Sequence, residues 1–394
     1  MKINLALGPL LFSCLMFSAG AGLYNTVLSL QLLSVGHSSS AVGGVMASYF
    51  LGQAAPLFVL PAIVFRFGYV PMFLVFLVIL STCMAVTPFT GNLFLLMCIR
   101  FVSGIAMSGL FLISESWINT SVPNAQRGRV FGLYILLSMG ALGGSQFLLT
   151  FWQGTGNVML MLSVSFCLIA LIPFLLIFRK CAGVGRKVLE KKLLRFRWKG
   201  MASLLCPITG IAFGSYFSNA AVYAEKSGYS MTQIGVFVGA AICIGALLQL
   251  PVGMISDRFG RWNTLNTALS GTIFVACVMY LAPQSSFWLL CFLSMILGVF
   301  INSFYPLSVS IVNDEILTDE RVEVSASLLL SFTGGAAIGS LLGGVVIDHF
   351  GHEKLMIFLV LVSSVVIISL SIFKLFAPAA PPVCEVCHAP TPLD

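Results

Sequence analysis

Long apolar runs separated by short polar breaks recur from one end of the chain to the other. The runs do not alternate apolar and polar residues, and each has about the 20 residues that a helix needs to cross a bilayer. In lipid, only helices and closed barrels bond all of their backbone polar groups internally. We therefore predict an all-α membrane protein with twelve transmembrane helices in two six-helix bundles. The predicted spans are residues 8–30, 41–63, 70–88, 93–117, 129–150, 158–178, 202–224, 233–254, 263–282, 287–312, 324–346 and 355–377.

The composition leaves too little polar surface for a water-soluble fold. Of the 394 residues, 59% are hydrophobic and 8% are charged, whereas soluble domains carry about 25% charged residues. The first apolar run, from Leu5 to Leu33, is too long for a signal peptide, so we expect it to be retained as a span. The sequence contains no phosphate-binding P-loop and no nucleophile–base pattern, so we expect no enzyme, cofactor or metal site.

Basic residues are concentrated in the breaks on one predicted side of the membrane. With both termini inside, 17 of the 20 Lys and Arg residues lie on the inner side, two lie outside, and Arg100 lies within a span. This asymmetry predicts an inner-membrane protein with cytoplasmic termini, and it argues against a nucleic-acid partner. Nine of the basic residues lie in 179–200, which we interpret as a cytoplasmic linker, with an anionic-lipid or partner patch as the alternative.

The two halves of the chain resemble each other. When the sequence is displaced by 192 residues, 22–69 falls on 214–261 and ten of the 48 positions are identical. An Arg-Phe-Gly turn follows the second span of each half. Duplicated six-helix halves are typical of secondary transporters. We predict bundles at 1–178 and 201–377, the linker at 179–200 and a cytoplasmic tail at 378–394.

A charged loop motif, GMISDRFGRW, begins at Gly253 and ends the eighth span. Gly253 allows two helices to approach, Asp257 can accept hydrogen bonds at a neighbouring helix N-terminus, and Gly260 permits a tight turn. Arg258 and Arg261 stay on the positive side and can form charge-assisted bonds. The motif matches every fixed position of the loop signature of the major facilitator superfamily. That resemblance implies the major facilitator fold and a latch between cytoplasmic helix ends, whereas a plain basic loop is the alternative.

The first-half copy of this motif is degraded. Arg66 and Gly68 remain, but Pro61, Phe65 and Tyr69 replace the glycine, aspartate and second arginine of the later copy. A first-half latch therefore lacks its carboxylate or takes one from elsewhere.

Glu115 is the candidate for that carboxylate, because it is the only acid inside any first-half span. Carboxylates in spans are costly and usually paired, so we expect an ion pair with Arg66, Arg127 or Arg129. The alternative is that Glu115 is a proton-coupling site.

Arg100 is the only basic residue deep within a span. A charge at this depth must face a cavity or a polar partner. The stretch from Arg100 to Gly104 resembles the fourth-helix Arg-x-x-x-Gly signature of the superfamily, in which such an arginine binds anionic substrates or tunes a proton site. Bonding to helix-end carbonyls is the structural alternative.

Glycines predict close helix crossings in the fifth and eleventh spans. They are Gly140, Gly143 and Gly144 in the fifth span and Gly335, Gly339, Gly343 and Gly344 in the eleventh. Both runs resemble the glycine-rich motif of drug antiporters but have Ser145 and Ser340 at its proline position, which argues against drug antiport. The stretch from Glu115 through Arg127 and Arg129 to Gln146 resembles the YcaD-like branch of the superfamily.

Amide and phenol side chains mark the helices that are predicted to line a central cavity. They suit a substrate with hydroxyl, carbonyl or aromatic groups, although they could instead hold helices together. With Arg100, the candidates are Tyr24, Asn25, Tyr49, Gln53, Tyr134, Gln146, Tyr216, Asn219, Gln249, Asn302 and Tyr305.

Two further clusters contain potential haem or metal ligands but do not indicate such a site. Cys384, Cys387 and His388 have the spacing of a haem-attachment motif, but a cytoplasmic, Pro-rich tail is the wrong compartment and we expect disorder there. Asp348, His349 and His352 provide too few ligands for a metal and are interpreted as a solvated outer turn.

The resemblance implies a secondary active transporter that moves a small organic solute by alternating access. We expect H⁺ coupling by analogy with the superfamily, a neutral or anionic substrate, a monomer, and no partner besides the substrate and the bilayer. A facilitated uniporter, a drug or metabolite exporter and a transport-inactive scaffold or receptor remain alternatives.

The topology can be tested by cysteine accessibility or reporter fusions. Because of the charge asymmetry, residues 179–200 and residue 380 should report the cytoplasm, and Lys226 should report the outside. An external central linker would contradict this orientation.

Overall fold

The computed structural model describes residues 4–151, 156–181, 196, 200–281, 286–315 and 321–376, and the regular elements in these ranges are helices. Most of the predicted linker and the whole predicted tail, including Cys384, Cys387 and His388, lie outside these residues. The α-helices are α1 (Asn4–Ser34), α2 (Ser39–Ala54), α3 (Leu60–Phe67), α4 (Tyr69–Val86), α5 (Leu93–Ser121), α6 (Asn124–Gly144), α7 (Gly156–Cys181), α8 (Gly200–Lys226), α9 (Met231–Leu247), α10 (Gln249–Phe259), α11 (Arg261–Leu281), α12 (Phe287–Glu315), α13 (Arg321–Phe350) and α14 (Lys354–Phe376). Short 3-10 helices follow α4 at Thr87–Phe89 and α6 at Ser145–Phe151.

The helices confirm an all-α membrane protein. Within the described residues, nine helices are long and apolar enough to cross a membrane, and α9 with α10 makes up to ten. The predicted second span falls on α2 and α3, and the predicted seventh span falls on α8. The count of twelve stays a prediction.

The predicted second and eighth spans are not continuous helices, which corrects the sequence interpretation. Residues 55–59 separate α2 from α3, and α9 and α10 are bent by 42° at Leu248. Pro56 and Pro251 stand at these breaks. A proline has no N–H for the carbonyl four residues earlier, and its ring clashes with that carbonyl.

The two halves use equivalent glycine contacts. Gly104 of α5 lies against the backbone of Tyr49 in α2, and Gly298 of α12 lies against the backbone of Ala241 in α9. A side chain at either glycine would collide with the neighbouring helix. Gly68 and Gly260, which are related by the sequence repeat, both have positive φ, at 91° and 90°. The Arg-Phe-Gly turns therefore share one backbone conformation.

The halves contact each other mainly through two helix pairs, α2 with α13 and α6 with α9. We call the end of the bundle with Arg66, Arg258 and Arg261 the arginine-rich end, and the other, with Lys226 and Asp348, the opposite end. The α2–α13 crossing places Gly344 against Ser39 at the opposite end. At the arginine-rich end, α3 and α10 pack against helices of their own half. The described conformation is therefore closed at the opposite end.

Candidate functional site

Arg100 lies in a polar and aromatic cluster inside the N-terminal half. Its Nη2 donates to Asn25 Oδ1 at 2.8 Å and contacts Met46 Sδ at 3.3 Å. The guanidinium carbon lies 4.3 Å from the ring centroid of Tyr49 and 5.2 Å from that of Tyr24. Aromatic faces attract cations, so α1 and α2 stabilise this charge without an acid.

The Arg100 charge has no carboxylate partner among the described residues. The side chain is 1% exposed, and its Nε has no hydrogen-bond partner there. Removing a charge from water costs several kcal/mol unless it is paired. The cluster therefore compensates Arg100 only in part and is electrostatically complementary to an anionic or strongly hydrogen-bond-accepting group.

Three of the predicted cavity residues hold helices together within one half. The Tyr24 and Thr87 hydroxyls lie 2.6 Å apart, and the Tyr216 and Ser294 hydroxyls are also 2.6 Å apart. Asn219 Nδ2 donates to the backbone carbonyl of Ser340 at 3.1 Å and so ties α8 to α13. These contacts fit the alternative that the sequence left open.

The remaining predicted cavity residues are spread along the bundle. Gln53 Nε2 donates to the Tyr49 hydroxyl at 3.1 Å, and Asn302 Nδ2 donates to the Gly298 carbonyl of its own helix at 2.9 Å. Gln146 is buried beside Gly235 and Gly239, where the halves meet.

Gln249 and Tyr305 are half-buried. The Tyr305 ring packs 4.9 Å from that of Phe332 in α13. The structure thus does not bring the twelve candidate residues into a single cluster.

Glu115 does not form the arginine pair that the sequence predicted. Its side chain is exposed, and within the described residues it makes no hydrogen bond or ion pair. It lies within electrostatic range of Tyr134 of α6 and Tyr305 of α12, one from each half. The physical reason is orientation, because Glu115 faces the space between the halves while the arginines lie at the loops.

The Arg261 guanidinium has partners in this conformation, whereas the Asp257 carboxylate has none among the described residues. Arg261 Nε lies 2.9 Å from Asp314 Oδ2, and its Nη1 donates to the Ser310 carbonyl at 2.6 Å. Asp257 is exposed, and Gly253 faces open space rather than a neighbouring helix. The residues of the predicted latch are therefore present at one end of the bundle but not engaged through Asp257.

The other predicted latch residues lie at the same end. Arg66 and Arg258 each lie 5.5 Å from the ring of the following phenylalanine, in equivalent turns. Arg129 is exposed, Arg127 is half-buried, and Arg127 Nε has no partner among the described residues.

The sequence missed the role of Asp348, which it placed in a solvated turn. Asp348 Oδ2 accepts hydrogen bonds from the Ser40 N–H at 2.7 Å and the Ser40 hydroxyl at 2.6 Å, and Oδ1 accepts one from the Ser39 N–H at 2.8 Å. The signal was an acid at the end of a span, but no local pattern indicates a partner some 308 residues away.

The histidines near Asp348 do not join it in a site. His349 Nδ1 contacts the Val345 carbonyl of its own helix at 3.1 Å. The His352 ring lies 5.7 Å from that of Tyr223. Burial lowers the pKa of His352, with Glu353 raising it and Lys226 lowering it further. No group of three potential metal ligands occurs in the part of the chain that the structure describes.

These features define a multi-pass membrane protein built from two similar helical halves, with one buried cation and few other charges in the parts of the spans that the structure describes. The family model of the Major Facilitator Superfamily matches residues 10–286 and 208–385. The chain belongs to this superfamily, and it is a membrane transporter of that type and not an enzyme.

The relatives agree with the predicted branch. The chain is 23% identical over 367 residues to the uncharacterised MFS-type transporter YcaD of Escherichia fergusonii, covering 92% of this chain and 94% of that one. It is 24% identical over 369 residues to YcaD of Salmonella newport, with the same coverage.

Solved structures show the same fold. A mutant of the nucleoside transporter NupG matches with a TM-score of 0.79 at 12% identity, over 95% of this chain and 100% of that one. NupG itself matches with a TM-score of 0.76 at 13% identity. This likeness concerns the fold alone.

We expect Asp257→Asn to shift the conformational equilibrium toward the state open at the arginine-rich end and to reduce transport. The thermal stability of that state should not change, because the Asp257 carboxylate has no described partner in it. Hydrogen–deuterium exchange at residues 249–261 and thermal shift measure the two effects.

Asp314→Asn is the control, because it breaks an ion pair that this conformation contains, at a cost of about 0–1 kcal/mol for an exposed pair. If Asp257→Asn left the conformer populations and transport unchanged, Asp257 would have no role as a latch.

Proposed function

We propose that the protein is a secondary active transporter that moves a small neutral or anionic organic solute across the inner membrane by alternating access. Its halves meet toward one end of the bundle, which is one of the two states that alternating access requires. We place both termini in the cytoplasm, so that the arginine-rich end faces inward and the opposite end faces outward. We expect a monomer with the bilayer as its only other partner.

The observation that carries the substrate class is the uncompensated charge of Arg100. Its guanidinium is held by Asn25, Met46 and two tyrosine rings, so its orientation is fixed before any ligand arrives. A planar guanidinium suits carboxylate and phosphate groups through paired hydrogen bonds. An organic cation would be repelled by the same charge.

Access to Arg100 requires rearrangement of its surroundings. The side chain is buried in the described conformation, beneath the end where the halves meet. Tyr49, at 8% exposure, covers one face of the guanidinium. We propose that the ligand group reaches Arg100 when the halves separate at the opposite end.

NupG is called a nucleoside transporter, and nucleosides are neutral solutes with many hydrogen-bonding groups. They belong in the first set of compounds to test. The low identity supports the fold and gives nucleosides no preference over carboxylates or sugar phosphates.

The substrate class can be tested on purified protein with Arg100→Lys. A thermal-shift screen of carboxylates, sugar phosphates, nucleosides and lipophilic cations identifies a ligand. Lysine keeps the charge but loses the paired hydrogen bonds, so the affinity should fall about tenfold or more while insertion is retained.

Lys354→Arg is the control, because it exchanges one cation for another at the start of α14, where Lys354 bonds Tyr280 of α11, and it should leave affinity unchanged. Efficient transport of a lipophilic cation that is unaffected by Arg100→Ala would refute both the role and the substrate class.

We propose that Glu115 carries the coupling proton. It is an exposed carboxylate within a span, without an ion pair among the described residues, and it faces a tyrosine from each half. A carboxylate whose surroundings change between aqueous exposure and enclosure gains and loses a proton as the halves move. A uniporter would have no need of such a group.

In Glu115→Gln, accumulation driven by a pH gradient should be lost, because glutamine imitates the protonated acid and cannot release a proton. Exchange of labelled for unlabelled substrate should persist in proteoliposomes. Glu225→Gln serves as the charge-matched control, because Glu225 is an exposed acid in the last turn of α8, at the opposite end. Gradient-driven accumulation that survives Glu115→Gln would exclude this residue as the proton carrier.

A further inference from the structure

Asp348 connects the two halves of the protein at the opposite end. It lies in the last turn of α13, in the C-terminal half, and bonds the first turn of α2, in the N-terminal half. Its two oxygens accept hydrogen bonds from the Ser39 N–H at 2.8 Å, the Ser40 N–H at 2.7 Å and the Ser40 hydroxyl at 2.6 Å. Lys226 Nζ lies 4.0 Å from Oδ1. Each carboxylate oxygen is thus bonded to the other half.

The bonds complete a helix cap that α2 cannot make alone. The first N–H groups of a helix have no partner within it. Ser38, the N-cap residue, accepts only the Ala41 N–H through its hydroxyl at 3.1 Å. The Ser39 and Ser40 N–H groups have no partner within the helix, and the Asp348 carboxylate accepts a hydrogen bond from each. A negative charge at this position is also favoured by the helix dipole.

The cap depends on close contact between α2 and α13. Gly43 lies against the Ser340 backbone, and Gly344 lies against the Ser39 backbone, so a side chain at either glycine would collide with the other helix. Hydrogen bonds of 2.6–2.8 Å do not survive a separation of several ångströms. The cap therefore breaks when the halves separate at this end.

We propose that Asp348 is a conformational latch for transport, and that it holds the protein closed at the opposite end by capping α2 from the other half. Asp257, at the arginine-rich end, is expected to use the same chemistry on a helix N-terminus when that end closes. The two carboxylates then act at opposite ends and in opposite states. The inference concerns the gate itself and does not depend on which solute is carried.

Hydrogen–deuterium exchange of the full-length protein in lipid nanodiscs tests this latch. Asp348→Asn removes the charge and one acceptor, so amides at 39–44 will exchange faster whether or not the gate opens. The informative segments are distant. If Asp348 holds the gate, exchange should also rise several-fold at 145–151 and 231–240, where the halves meet through other helices, and should fall at 249–261.

Glu225→Gln is the matched control, since Glu225 is an exposed acid beside Lys226 whose side chain makes no hydrogen bond or ion pair with described residues. It removes the same charge from the same end and should leave the distant segments unchanged. A change in Asp348→Asn that stays confined to 39–44 would mean that Asp348 is only a local cap, and the proposal would fall.

Two milder variants keep the proposal testable if Asp348→Asn does not fold. Ser40→Ala removes only the hydroxyl bond and should raise exchange at the distant segments to a smaller extent. Gly344→Ala should open the same end by collision with Ser39, whereas Gly334→Ala, which faces open space on the same helix, should not. The proposal would also be overturned if Gly344→Ala, Gly334→Ala and Ser40→Ala all showed the same exchange as the wild-type protein at the distant segments.

Discussion

Close contact between helix backbones is the constraint on which this structure depends. Lipid tails are as apolar as the side chains, so helices in a bilayer gain little from apolar burial alone. Glycines replace that driving force by letting backbones meet, as Gly335 and Gly339 do against Pro207 and Ile211 of α8. The same device joins α2 to α13 across the halves at Gly43 and Gly344. One kind of contact therefore occurs both within a half and between the two halves.

The few charged side chains inside the spans have two different kinds of surroundings. Arg100 is enclosed by tyrosines, an amide and a thioether, which lower the cost of burial without neutralising it. Glu115 remains exposed between the halves without a described ionic partner. Neither charge is neutralised by an ion pair among the described residues, so under our proposals Arg100 offers a site for a ligand group once its surroundings rearrange, and Glu115 offers a site for a proton. A fully paired interior would offer neither.

Much of the fold could be predicted from the sequence, because membrane spans follow from composition and length. The breaks at Pro56 and Pro251 were missed because a hydropathy run continues through a proline, and only the helix geometry shows the interruption. At the candidate site, the isolation of Arg100 followed from its depth in an apolar run. Its tyrosine neighbours, the unpaired Glu115 and the bonds of Asp348 did not follow, because each depends on how distant helices are rotated about their axes.

The capping of α2 has a consequence for how the protein is made. Its repeat counterpart, α9, begins with a capping box in which Ser230 and Gln233 bond each other's backbone within the same turn. The bonds of this capping box form within one turn and need no other part of the chain. In α2, the Ser39 and Ser40 N–H groups are bonded by Asp348, so these two bonds can form only after the chain has been synthesised as far as residue 348. The N-terminal half therefore gains these bonds only once α13 of the C-terminal half is in place.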